Sequence, residues 1–292
     1  MNEEAATDPK NLSAACIYEE MTMKGEGKPV KQGGTSKGLL LTFSVFTVLF
    51  IVAAIGFTVS IIRAVNEERG FKRLRALGDI SKVDGNEEKE SHAPETFNLP
   101  ILPQYAAYYK MNPDFAGWLR LKNTKINYPV MLTPDEPEYY LKRAFDRSSS
   151  VSGTPFIGVD CNTDSDCIII HGHNMKNDTL FGTLDYYKDK SFWKNNPTIF
   201  FDTLYEKREY AILAVFRTRI FKPGESGFRY YEYGGDLSEA EYNKFIKQVS
   251  NLALYNTGVT ARYGEPLLVL STCSYHVDNG RFVVVAKLIN QD

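Results

Sequence analysis

The sequence predicts a mainly β-sheet domain, an antiparallel barrel or sandwich with a few appended helices, preceded by one membrane-spanning helix. Aromatic residues make up 13% of the 292 residues, and aromatic and β-branched residues favour strands. Short runs of them recur after residue 100, bounded by Gly, Pro, Asn or Asp. One long segment near the N-terminus is apolar throughout. The formal net charge of -2 gives no global field for nucleic acid, so function is sought in local sites.

The N-terminal region divides into a tail and an apolar segment. Residues 1–37 mix acids, lysines and glycines without hydrophobic periodicity, so we expect a flexible cytosolic tail in which Cys16 is a free thiol. Residues 38–62 contain no ionisable side chain, and as a helix they exceed the roughly 30 Å hydrocarbon core of a bilayer. A cleaved signal peptide would have a shorter apolar region and a small-residue cleavage site. The segment is therefore predicted to be an uncleaved transmembrane anchor.

Basic residues flank this segment on both sides. The lysines before it are Lys24, Lys28, Lys31 and Lys37, and the larger basic group after it is Arg63, Arg69, Lys72, Arg73, Arg75 and Lys82. Taken literally, the positive-inside rule would place the C-terminal domain in the cytosol. The rule is weakest where a long folded domain follows the span, so we expect the opposite orientation from the chemistry of that domain.

Residues 63–94 are predicted to form a juxtamembrane helix and a polar linker, and the globular domain is expected over residues 95–292. Strands are predicted at 125–131, 155–159, 167–170, 198–203, 209–220, 266–272 and 281–289. Helices are predicted at 103–109 and 238–255. In the second helix Ser238 and Glu241 form a potential capping box, and Phe245, Val249 and Leu252 recur at helical spacing.

The strongest chemical signal lies where two apolar strands are joined by a short loop near the C-terminus. Cys273 ends the first strand and Arg281 opens the second, so antiparallel pairing would place both at one rim of the sheet. A guanidinium there would favour the nucleophilic thiolate and stabilise negative charge on a carbonyl oxygen. An inert buried thiol is the alternative for Cys273.

A cysteine nucleophile usually needs an imidazole, and the chain has four histidines. His92 lies in the polar linker and His276 in a turn, so both are expected to be bystanders. His171 and His173 end an apolar strand that would deliver an imidazole to a rim of the sheet. One of these two is the expected partner of the thiol.

These residue types also allow two other uses. A zinc site at the His171–His173 pair lacks an evident third ligand, since no CxxC or HExxH arrangement is present, and no metal or cofactor is expected. Cys161 and Cys167 allow a surface disulfide, which their spacing does not decide.

These motifs resemble the sortase family. The sequence GHNM places the family's histidine at His173, LSTC places its cysteine at Cys273, and GRFVVVAKL places its arginine at Arg281. The stretches MNPDFAGWLRLKNTKINYPVM and HGHNMKNDTLFGTL are similar to class B members. The resemblance implies an eight-stranded β-barrel with peripheral helices outside a Gram-positive membrane, and it suggests Ser271 and Leu141 as substrate contacts.

The implied activity is transpeptidation. The enzyme would cleave a C-terminal sorting signal on surface proteins through a thioacyl intermediate and transfer the acyl group to an amine of a peptidoglycan precursor or a pilin. Two alternatives stay open on the residues: a membrane-anchored cysteine peptidase that only hydrolyses, and a non-catalytic membrane-tethered binding module.

Overall fold

The computed structural model describes residues 37–80 and 100–292. Two compact units make up the chain, and the second comprises Ile55–Asp292. The predicted tail, Cys16, His92, linker residues 81–94 and the expected start of the globular domain at residue 95 lie outside the described residues.

Helix α1, Lys37–Ile80, is one continuous element of 44 residues. It is long and apolar enough to cross a membrane by length and composition, as the sequence predicts. Within the second unit, Phe71 and Leu74 of this helix are buried in the hydrophobic core. The Phe71 ring meets Tyr128 edge-on, with 4.9 Å between the centroids. The C-terminal turns of α1 are therefore part of the packed body of that unit.

Eight strands follow α1: β1 Phe115–Arg120, β2 Asn127–Met131, β3 Phe156–Ile157, β4 Cys167–His171, β5 Thr198–Thr203, β6 Arg208–Arg219, β7 Leu267–Cys273 and β8 Gly280–Gln291. They close into one barrel in the order β1-β2-β3-β4-β7-β8-β6-β5, which confirms the predicted β-barrel. The pairs β2–β3 and β4–β7 are parallel, so the sheet is mixed rather than wholly antiparallel. Both parallel pairs are joined by long excursions of the chain, as parallel pairing requires.

The helices after α1 are α2 Pro103–Met111, α3 Lys190–Asn195 and α4 Glu239–Leu252, and three short 3-10 helices cover Tyr139–Lys142, Gly182–Lys188 and Tyr230–Glu232. Helix α4 begins as predicted. Ser238 Oγ accepts a hydrogen bond from Glu241 N, and the Glu241 carboxylate accepts one from Ser238 N at 3.0 Å. Phe245 and Val249 are buried, but Leu252, in the last turn, is exposed, so the predicted apolar stripe stops one turn early.

Strand β1 was absent from the prediction. All but its last residue are buried, so it shows no alternation of apolar and polar residues. Its pairing with β2 shifts register between Phe115 and Gly117. A Cβ on Gly117 would lie 2.2 Å from the Asp202 backbone oxygen on β5. A glycine is therefore needed at this position, where β1 pairs with β5. Because glycine is unfavourable inside a strand, it weakens the sequence pattern that would predict β1.

Candidate active site

Cys273 and Arg281 are brought together by strand register. They face each other as a pair in the antiparallel ladder of β7 and β8, and opposed residues in such ladders have Cα atoms roughly 4.5–5.5 Å apart. Cys273 is partly exposed. The hairpin thus presents a thiol and a guanidinium at the same rim of the barrel, as its sequence predicts.

Strand β4 lies beside β7 and ends at the same rim. The two strands are parallel, with His171 level with Ser271. Beyond β4, Gly172 N donates to the Ser271 carbonyl at 3.2 Å, and the Gly172 carbonyl accepts from Thr272 Oγ1 at 2.7 Å. The backbone leaving β4 is therefore fastened to the last residues of β7.

His173 lies between two such fastenings. The Asn174 side-chain amide donates to the Cys273 carbonyl at 2.8 Å, so the residues before and after His173 are both bonded to the end of β7 that carries the thiol. Asn174 was missed by sequence reasoning, although the GHNM motif contains it. The structure thereby brings His173, Cys273 and Arg281 to one rim.

The His173 ring is oriented by the backbone of the 3-10 helix Tyr139–Lys142. Its Nε2 lies 2.8 Å from the Leu141 carbonyl oxygen. A carbonyl only accepts, so Nε2 carries a proton in this contact and the second ring nitrogen, Nδ1, is the one left for proton exchange. Leu141, expected from the resemblance to contact substrate, therefore also holds the imidazole through its main chain.

His171 has a different environment. Its ring packs against Phe156, with 5.5 Å between the ring centroids. Burial, and secondarily the positive charge of Arg281, lowers the pKa of His171 to about 4. This imidazole is neutral at pH 7, and a neutral ring is a far weaker proton donor to a departing amine than an imidazolium. Of the two histidines, His173 is the better placed for acid–base chemistry.

His171 and His173 are also the candidate zinc ligands. Their rings make separate contacts, one with Phe156 and one with the Leu141 carbonyl. Among residues 37–80 and 100–292, no three His, Cys, Asp or Glu side chains are grouped so as to hold a metal.

The Arg281 guanidinium is held where the loop between β7 and β8 ends. Its Nη1 donates to the Gly280 carbonyl at 2.9 Å. The residue is partly exposed, so other N–H groups of the guanidinium remain for a substrate carbonyl. Gly280 is required here, because a Cβ would lie 2.2 Å from the Ser274 carbonyl oxygen. His276, in the same loop, contacts Ser274 Oγ at 2.9 Å through Nδ1.

Tyr230 lies beneath the rim and was not identified from the sequence. Its hydroxyl is 2.6 Å from Ser271 Oγ, and both residues are buried. Burial raises the pKa of Tyr230 to about 12, so the phenol is protonated. Ser271, expected from the resemblance to contact substrate, is thus engaged with this phenol. One tyrosine among 18 gave no signal of its own.

Cys161 and Cys167 are buried free thiols. Cys161 Sγ donates to the Cys167 carbonyl at 3.5 Å, and burial raises the pKa of both thiols. Neither forms a disulfide in this structure, and both behave as small core residues. Among the described cysteines, Cys273 is the one at a surface.

Both the sequence and the fold are similar to those of known proteins. The sequence model of the sortase domain matches residues 120–289, more than half of the chain. Sortase B of Listeria monocytogenes is 29% identical over 209 residues, covering 68% of this chain and 79% of that protein. Sortase B of Staphylococcus aureus is 26% identical over 193 residues, covering 65% and 76%. The solved Staphylococcus aureus sortase B-substrate complex shares the fold, with a TM-score of 0.65 and 23% identity over 78% of this chain and 99% of that one.

Proposed function

The chain belongs to the sortase family, class B, and is therefore a cysteine transpeptidase; on this premise we propose that it cleaves a C-terminal sorting signal of surface proteins and joins them to a cell-surface amine. Cys273 is the proposed nucleophile, His173 the proton donor and acceptor, and Arg281 the oxyanion ligand. The observation that carries these roles is the cross-strand pair Cys273–Arg281, with the backbone on both sides of His173 bonded to the end of the same strand.

In the first half-reaction the Cys273 thiolate attacks the peptide carbonyl of the sorting signal. Negative charge develops on the carbonyl oxygen, within reach of the N–H groups of Arg281. The C–N bond then breaks, and His173 gives its proton to the departing amine. The acyl group stays on the sulfur as a thioester.

In the second half-reaction an amine attacks that thioester. His173, now neutral, takes the proton that the amine loses, and the Cys273 thiolate leaves. The thioester conserves the energy of the cleaved peptide bond, so a new amide forms without ATP. An amine on a peptidoglycan precursor or a pilin is the proposed acceptor.

The anchor fits this chemistry if the barrel lies outside the cell. We propose a cytosolic tail over residues 1–37, a membrane anchor over 38–62, a juxtamembrane helix and linker over 63–94 and the catalytic domain over 95–292. Anchoring confines the enzyme, the surface protein and a lipid-linked acceptor to one surface, which raises their effective concentrations.

The test uses the purified full chain in detergent, peptides that carry candidate sorting signals, and a panel of amines. We expect mass spectrometry to find an acyl adduct on Cys273 and an amide product that depends on the amine. The Cys273→Ala and His173→Ala variants should give neither above background. If the wild-type chain yields only the hydrolysed peptide with every amine, it is a peptidase. If C273A retains activity, the thiol is not the nucleophile.

A further inference from the structure

We infer that Glu67, on the part of α1 that follows the predicted membrane anchor, is a positioning residue for His173. This inference rests on the proposed function, because it takes His173 to be the catalytic imidazole. It assigns the juxtamembrane helix a role in the reaction beyond attachment.

The Glu67 carboxylate is fastened to the turn that precedes β3. Its Oε1 accepts from Ser150 Oγ at 2.9 Å and from Val151 N at 2.8 Å, and its Oε2 accepts from Ser152 Oγ. Hydrogen bonds to a carboxylate are stronger than those between neutral groups. Three of them from consecutive residues fix this turn against the helix.

The same turn lies directly against the carbonyl that orients His173. Ser150 N donates to the Lys142 carbonyl at 3.0 Å. Gly153 has a φ of +65°, and a Cβ there would lie 2.4 Å from the Leu141 carbonyl oxygen. That oxygen accepts the hydrogen bond from His173 Nε2. Glu67 is thus connected to the imidazole through one short turn and one main-chain carbonyl.

A second set of contacts runs from α1 to the other side of His173. Phe71 packs on Tyr128, and the Arg75 guanidinium lies over the same ring, 5.7 Å from its centroid. The Tyr128 hydroxyl accepts from Leu180 N at 3.1 Å. The next residue, Phe181, donates its N–H to the His173 carbonyl at 3.0 Å. The helix therefore supports both the ring and the main chain of His173.

Both acidic residues in this part of α1 belong to these contacts. Between residues 63 and 78 the segment is strongly basic, and its two acids are Glu67 and Glu68. Glu68 pairs with Arg75 at 2.9 Å, which keeps that guanidinium over Tyr128.

The experiment uses the full chain in detergent with the transpeptidation assay. In Glu67→Ala the turn loses its anchor, and we expect kcat to fall by roughly tenfold to a hundredfold, the range for small displacements of a catalytic group. The pH–rate profile should change as well, since the hydrogen bond to His173 Nε2 is no longer fixed. Glu67→Gln should recover most of the activity, because one oxygen accepts both the Ser150 and Val151 bonds. The matched control is Arg69→Ala, an exposed position two residues along the same helix, which should keep the wild-type profile.

Hydrogen exchange of the same variants separates positioning from unfolding. E67A should exchange faster at residues 139–154, while β7 and β8 stay protected. Tyr128→Phe, which removes only the oxygen that Leu180 N uses, should shift the pH–rate profile through the second set of contacts. The inference is overturned if E67A keeps the wild-type kcat and pH–rate profile while His173→Ala is inactive, whatever the result for Y128F. If instead H173A remains active, the proposed function fails first.

Discussion

The three proposed site residues are placed by two kinds of contact. Cys273 and Arg281 are placed by the strand register, which the whole ladder of β7 and β8 enforces. His173 is placed by loop hydrogen bonds on both of its sides and by one carbonyl on its ring. The imidazole is therefore the group most sensitive to changes elsewhere, whereas the thiol and guanidinium should tolerate them.

Replacing Arg281 by lysine tests whether the planar guanidinium matters or charge alone suffices. Lysine keeps the positive charge but lacks the planar guanidinium. The guanidinium donates to the Gly280 carbonyl and still has further N–H groups for a substrate. We expect Arg281→Lys to lower kcat/KM by roughly tenfold to a hundredfold, the range for losing an oxyanion donor. Arg217→Lys on the neighbouring strand is the control and should stay near wild type. Equal activity of R281K and wild type would mean that a point charge is enough.

The pH dependence of stability reports on His171. Its pKa of about 4 in the folded state lies below its ordinary value of 6.5, so the unfolded chain binds the proton more tightly. The stability associated with the neutral ring is complete above pH 6.5 and is lost as the pH falls towards 4. Between pH 7 and 4.5, wild type should lose about 2 kcal/mol more than His171→Gln, measured by urea unfolding of the barrel. Parallel losses in the two proteins would contradict the assigned environment.

The sequence reveals local pairs at the site and misses distant ones. Cys273 and Arg281 were predicted to be neighbours because one short loop joins their strands. Tyr230, Asn174 and Glu67 were not predicted, because their partners lie 41, 99 and 83 residues away in the chain. No local pattern marks a tyrosine, an amide or a carboxylate whose partner is set by barrel closure.

The close packing of β1 against β5 depends on a single residue. Gly117 passes so close to β5 that any side chain would meet the Asp202 main chain. We expect Gly117→Ala to lower the free energy of unfolding by about 3 kcal/mol or more, which is the upper end of the range for overpacked substitutions. The cost is high because the neighbouring atom belongs to the main chain, which cannot move aside as a side chain can. Thermal unfolding measures it. Gly70→Ala on α1, where nothing lies within 4 Å, should leave stability unchanged or raise it; equal effects at the two sites would refute the steric account.

Among the helices and strands, the prediction was confirmed where the bounds of an element depend on neighbouring residues in the sequence. Helix α4 begins at its capping box, and β5 has the predicted bounds, Thr198–Thr203. The prediction was incomplete or wrong where contacts between distant parts of the chain determine the structure. Strand β1 is buried on both faces, and the exposure of Leu252 depends on where α4 leaves the barrel. The parallel neighbours of β2 and β4 are likewise set by the closed topology, which hydrophobic runs do not encode.

The orientation of the chain in the membrane can be determined by labelling its cysteines. Cys16 lies in the tail before the predicted anchor, and Cys273 is the partly exposed thiol of the barrel, whereas Cys161 and Cys167 are buried. In intact cells, a membrane-impermeant maleimide should label Cys273 alone, and a second label at Cys16 should appear only after permeabilisation. Mass spectrometry of the labelled peptides distinguishes the two sites, and Cys273→Ala provides the unlabelled control. Labelling of Cys16 in intact cells would reverse the proposed topology.

The barrel order also constrains when the enzyme becomes active. Strands β7 and β8 lie between β4 and β6, although they follow both in the chain, so without this hairpin the other six strands would leave β4 and β6 as unpaired edges of an open sheet. In the proposed topology the N-terminal tail stays in the cytosol and the domain crosses the membrane from its anchor end, so the thiol and guanidinium are brought together only when the final hairpin closes that sheet. A copy truncated before β7 would lack both the closed barrel and the proposed nucleophile, and we expect it to form no thioester.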